Sequence, residues 1–104
     1  MPLTQEEHDL ILAEVEDGLH LVPSHMHGGI KRYTLQGIPP GSFLEALLSN
    51  DLMGAFRRAD DENQRAMFGW ACFLYNHVPS ECYGSPEKYR AWCRKAGPEL
   101  EEEQ

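Results

Sequence analysis

Imidazole, thiol, hydroxyl, carboxylate and guanidinium groups are the side chains through which this chain would do chemistry, and their spacing limits what that chemistry can be. His25-x-His27 sets two imidazoles two residues apart, and His77 and Cys82 flank a later loop. On a helix, positions two apart face different ways, so the pair converges on a metal only if that stretch is not helical. Zinc sites pair close-spaced ligands more than once, and here one such pair occurs. The expectation is solvated or hydrogen-bonded histidines, with no metal and no cofactor. Ser, His and Asp are numerous enough to draw a hydrolytic triad on paper. Neither a Gly-x-Ser-x-Gly turn nor a Walker-type phosphate loop is present, however. Gly37-x-x-x-Gly41 encloses Pro39 and Pro40, which lack amide donors, so it reads as a rigid turn rather than a phosphate cradle. No catalytic residue is predicted, and the chain is not expected to be an enzyme.

A second cluster is polar without being catalytic. It runs through Lys31-Arg32-Tyr33, Asn50-Asp51, Arg57-Arg58-Ala59-Asp60, Asn63 and Tyr75-Asn76. An inward Arg58 must be paired, because an unpaired buried charge costs several kcal/mol. Asp51 and Asp60 are the natural partners, and a guanidinium fork onto a carboxylate would pin the helix junctions. The alternative is a pocket in which Arg32, Tyr33, Arg58 and Asn76 hold a small anion such as a nucleotide.

Charge gives a third lead. The 104 residues carry a formal net charge of −8, with 17 acids against 9 Lys and Arg. Glu6, Glu7, Asp9, Glu14, Glu16 and Asp17 lie in the first 18 residues, which hold no Lys or Arg. Glu99, Glu101, Glu102 and Glu103 crowd the other end, leaving residues 19–96 close to neutral. Such a balance is poor for phosphate binding, so direct contact with nucleic acid is not expected. An acidic surface that engages a basic partner is the sharper reading, with Glu6, Glu7, Asp9 and Glu14 as candidate contacts. Helix 85–96 offers Lys88, Arg90, Arg94 and Lys95, which suggests a DNA-binding regulator, but the overall sign argues against it.

Positioning these groups falls to helices. Thr4-Gln5-Glu6-Glu7 is a capping box opening a helix over about 4–17, whose apolar residues Leu10, Ile11, Ala13 and Val15 form a narrow stripe. Ser24 can cap a helix to Gln36 that brings Met26, Ile30 and Tyr33 to one side, and Gly37 ends it. Ser42 opens an apolar stretch through Phe43 and Leu44 that runs to about Ala59, either as one bent helix or as two divided at Asn50-Asp51. Asp60 or Asp61 caps a central helix to His77, in which Ala66, Met67, Trp70, Phe73 and Leu74 recur at helical spacing. Ser85-Pro86-Glu87 is a cap, N1 proline and first-turn acid, and Gly97-Pro98 stops that last helix. The prediction is an all-α bundle of five or six short helices in a single domain. An acidic N-terminal helix (1–18) precedes a helical core (19–96) and an acidic flexible tail (97–104). Gly37, Pro39, Pro40, Phe43, Asp51, Asp60 and Trp70 are the residues expected to hold it together.

Three cysteines, Cys72, Cys82 and Cys93, form an odd set without a Cys-x-x-Cys pair. That fits packing residues in a reducing cytosol better than a disulfide framework. Apolar runs are too short to span a bilayer and no signal peptide opens the chain, so no membrane association is expected. Spare aromatics such as Trp70, Trp92 and Tyr83 make a homo-oligomer possible.

The stretches HMHGGIKRY, GIPPGSFLEALLSNDLMGAFRRADDEN and LYNHVPSECYGSPEKYRAW carry a resemblance. Over about two-thirds of its length the chain resembles small accessory proteins encoded by tailed bacteriophages and prophages. The resemblance rests most on Gly37-Ile38-Pro39-Pro40-Gly41-Ser42-Phe43-Leu44 and Asn50-Asp51-Leu52. It implies a phage protein working in a bacterial cytoplasm and brings no catalytic residues with it. The acidic first helix and the Glu-rich tail lie outside it. Together these readings lead to an interaction protein that binds a host or phage macromolecular complex and inhibits a defence system. A nucleotide sponge built on Arg32, Tyr33, Arg58 and Asn76 is the alternative.

Overall fold

The capping chemistry at Thr4 decides where the first helix begins. In the computed structural model, which describes residues 3–97, the Thr4 hydroxyl accepts from the Glu7 amide at 3.1 Å. The Glu7 carboxylate accepts from the Thr4 amide at 2.9 Å in return. Helix α1 (Gln5–Gly18) follows and turns Val15 fully into the interior, with Ile11 packed beside it. The inner stripe is therefore Ile11, Val15 and Gly18, at spacings of four and three, whereas Leu10 and Ala13 face solvent.

Two 3₁₀ turns, Leu19–Leu21 and Ser24–Met26, lead into α2 (His27–Gln36), so Ser24 opens a 3₁₀ turn rather than capping the helix, which starts without a side-chain cap. Gly37 adopts φ 67°, a left-handed conformation that glycine enters without steric cost. It also lies against the far end of the chain, since a Cβ there would sit 2.4 Å from the Gly97 nitrogen. The apolar stretch after Pro40 is two helices, α3 (Ser42–Leu48) and α4 (Leu52–Arg58). Asn50 at φ 68° breaks them and Asp51 caps the second, accepting from the Gly54 amide at 2.9 Å.

The helix expected over 61–77 is likewise divided, into α5 (Asp61–Arg65) and α6 (Met67–His77). At the junction the Ala66 amide is shared between the Glu62 and Asn63 carbonyls, which tightens the last turn of α5. Asn63 then accepts from the Trp70 indole N–H at 2.9 Å, so the break is bridged by a buried side-chain bond. Val78 turns extended ahead of Pro79, a 3₁₀ turn spans Ser80–Cys82, and Ser85 caps α7 (Pro86–Ala96). The count among the described residues is seven α-helices and no strand, so the all-α expectation stands and five or six was an undercount. Both divisions lie at backbone turns inside stretches whose apolar periodicity continues across them.

Trp70, Tyr33, Phe73, Ile30, Leu44, Leu48, Val15 and Cys82 are fully buried and form one cluster. Phe43 meets Trp70 edge to face at 5.7 Å. Trp92 sends its indole N–H to the Tyr33 and Thr34 carbonyls at 3.2 and 3.3 Å, satisfying carbonyls near the end of α2. Trp70 and Trp92 are thus core residues, not spare surface for a second copy. Pro39 is exposed and Pro40 half-buried, between Gly37 and the start of α3. The acidic tail read over 97–104 lies, apart from Gly97, outside the described residues. No helix among the described residues is long and apolar enough to cross a membrane.

Candidate docking site

The side chains singled out for an anion pocket do not converge. Tyr33 is a core residue: its hydroxyl donates to the Cys82 carbonyl at 2.7 Å and its ring stacks on Tyr89 at 5.5 Å. Burial pushes its phenol far above the ordinary range, so it stays a neutral donor. Arg32 is exposed, lying over Gly28. Asn76 is also exposed and donates back to the Cys72 carbonyl at 3.0 Å.

Arg58 does not fork onto a carboxylate. It is exposed, pairs with neither Asp51 nor Asp60, and donates to the Gly54 carbonyl of its own helix at 3.1 Å. The two aspartates serve as helix caps instead, Asp60 accepting from the Asn63 amide at 2.8 Å. Because Arg58 is solvated, it has no need of an ionic partner. It borders a hollow between α3, α4 and α7 together with Glu45, Asp51, Tyr89 and Arg90, where two cations are matched by two anions.

The metal-type residues are also separated. His25 sits between two carboxylates, with Asp60 2.8 Å from Nε2 and Glu62 3.2 Å from Nδ1. His27 Nε2 is 3.0 Å from the Val22 carbonyl, and Cys82 is buried with its thiol pushed up by desolvation. Among the described residues no three His, Cys, Asp or Glu side chains group so as to hold a metal.

The acids of α1 make a more coherent surface. Glu6, Glu7, Asp9, Glu14, Glu16 and Asp17 are all exposed, and the helix has no Lys or Arg. Lys31 pairs with Glu16 at 3.1 Å. Glu7 is held ionised, its carboxyl lowered chiefly by the Thr4 amide that it caps. Beside this face α1 meets the end of α6. A hollow of about 390 Å³ opens there between Leu10, Ile11, Glu14, Asn76, His77, Val78 and Pro79. A second hollow shares Leu10, Ile11 and Pro79 and continues past Leu3, Glu7 and Glu81 to Trp92 and Lys95. The two form one furrow with an apolar floor and carboxylates at its edge.

His77 closes one end of it. Its ring lies flat on Gly18, where a Cβ would come within 2.4 Å, and stacks against Phe73. The buried Nδ1 has no hydrogen-bond partner, with Glu14 at 3.8 Å and Asp17 at 4.0 Å. At the other end Lys95 lies over the Trp92 ring and pairs with Glu81 at 3.2 Å. The sequence pointed to the acids but not to the furrow, because Leu10 counted toward the inner stripe. Its offset from Ile11 and Val15 was the available signal. Leu10 is 66% exposed, beside the acids rather than beneath them.

Another apolar patch lies on α4, where Leu52, Met53 and Phe56 are exposed, with Arg57 and Arg58 ending the same helix. Residues four apart on a helix are neighbours, so Leu52 and Phe56 adjoin. No family model matches the chain, and no curated protein or solved structure matches it either.

Proposed function

We propose that the chain is a phage-encoded, non-enzymatic interaction protein that binds a basic site on a host protein complex in the bacterial cytoplasm. By occupying that site it inhibits the complex, and a defence system is the class of target that fits a phage accessory protein. One observation carries this reading: α1 turns six carboxylates to solvent with no Lys or Arg of its own, while Lys31 pairs with Glu16. A one-signed face of this kind raises the local concentration of a cationic partner and speeds encounter. Occlusion then needs no chemistry, only a complementary surface that stays seated.

Affinity capture from bacterial lysate tests the reading, comparing the tagged wild type with the quadruple variant E6Q/D9N/E16Q/D17N at low and moderate salt. A cationic partner kept by the wild type at low salt, and lost by the variant, is the expected result. Retention of nothing, or of the same partner by both proteins at both salt concentrations, would overturn it. The four side chains are exposed, so neutralising them leaves the core untouched.

A further inference from the structure

We propose that the furrow between α1, the end of α6 and α7 receives a short basic amphipathic segment of the partner protein. Apolar side chains of that segment lie on Leu10, Ile11 and Pro79, and its Lys or Arg side chains reach Glu7 and Glu14. The inference rests on the reading of the chain as a binder of a basic partner, and specifies which part of the acidic side does the recognising.

Three features single out this occupant. The floor is apolar and open, with Leu10 exposed although nothing in the fold requires a leucine there. Such a side chain gains by being covered, at about 25 cal/mol per Å² of apolar surface removed from water. The border carries Glu7, Glu14 and Glu81 against Lys95, with the His77 imidazole beside Glu14, so the carboxylates are in excess and favour positive charge. Lys95 is paired with Glu81, and although Glu7 caps the Thr4 amide and Glu14 lies 3.8 Å from His77, both carboxylates are exposed and open to a further cation. Like charge disfavours the other occupants. The chain's own last residues include Glu99, Glu101, Glu102 and Glu103, and a second copy would bring another net charge of −8.

The experiment is an amide NMR titration of the full chain with two synthetic peptides of equal charge. One alternates Lys and Arg with Leu and Ile on a helical repeat; the other replaces the apolar positions with Ser. Saturable shifts at Leu10, Ile11, His77 and Val78 with the first peptide, and at least tenfold weaker binding of the second, are expected. Leu10→Ser, at an exposed position, should weaken the first peptide about tenfold. Glu14→Lys should do the same and be rescued by a peptide carrying Glu in place of one Lys.

Equal binding of both peptides, or shifts confined to the outer face of α1, would overturn docking in the furrow while leaving a basic partner possible. Nuclear Overhauser contacts between Leu100 and Ile11 in the free protein would overturn it as well, by giving the furrow to the chain's own end. So would a dimer in sedimentation that Leu10→Ser abolishes. Groove-specific binding of the first peptide alongside a lysate capture that retains nothing would sustain the furrow's specificity and retire the cytoplasmic-target reading.

Discussion

Tyr33 holds its phenol in a dry interior, where the Oη–H donates to the Cys82 carbonyl and the ring stacks on Tyr89. Removing only the hydroxyl leaves a buried carbonyl without its donor, a loss of roughly 1–3 kcal/mol. Tyr33→Phe should therefore lower the free energy of urea unfolding by that amount and leave partner capture unchanged. A loss of capture at unaltered stability would return Tyr33 to the binding surface. Asp60 belongs to a different class, because its carboxylate is exposed and its role is read through pH. The Asn63 amide, with His25 adding to it, holds this carboxyl below the ordinary range. A depressed native value means the charged form is favoured by folding. The contribution is then complete above the unfolded-state pKa and disappears as pH falls through the native one. Melting temperature followed from about pH 6 to about pH 2 should fall less steeply on the acid side for Asp60→Asn than for wild type. Parallel curves would count against Asp60 as an acid-sensitive cap.

Side-chain-capped helix starts were readable from sequence; of the two interruptions, the one at Asn50-Asp51 was open as an alternative and the one at Ala66 was not, for a physical reason. Thr4, Asp60 and Ser85 each act on the amide three residues ahead, so the whole interaction is contained in a four-residue window. Ser85→Ala removes the acceptor for the Lys88 amide and should cost about 1 kcal/mol in thermal unfolding. The breaks at Asn50 and Ala66 depend instead on what the flanking helices meet, and the apolar spacing runs through both. The Trp70–Asn63 bond across the second break joins residues that a continuous helix would also have put on one side. Gly37 was legible as a helix stop, but its contact with Gly97 was not, since it joins the ends of α2 and α7. Gly37→Ala combines a left-handed φ with a Cβ placed on backbone atoms of Gly97 and Cys93. It should destabilise more than Ser85→Ala, by well over about 1 kcal/mol. Equal effects of the two substitutions would mean that the α2–α7 junction yields easily. The candidate quartet failed for the same reason as the helix breaks: Arg32, Tyr33, Arg58 and Asn76 share residue chemistry, but helix rotation turns Tyr33 inward and leaves the others in solvent.

At the scale of the whole molecule, two regions combine charge with exposed apolar side chains, while Phe68 and Tyr75 are exposed elsewhere on α6. The side built from α1 and the end of α6 joins carboxylates to an open apolar furrow, whereas α4 exposes Leu52, Met53 and Phe56 beside two arginines. The acidic distribution was visible in the sequence; the furrow beside it required the packing of α1 against α6. If the first region does the binding, raising salt from about 50 mM to about 500 mM should weaken capture by an order of magnitude or more, because exposed charges are screened beyond a few ångströms. The most direct test is hydrogen–deuterium exchange on the full chain with and without its captured partner. Slowed exchange over α1 and residues 76–81, with α4 unchanged, is the predicted outcome. Protection confined to Leu52–Arg58, with α1 exchanging as in the free protein, would contradict the account.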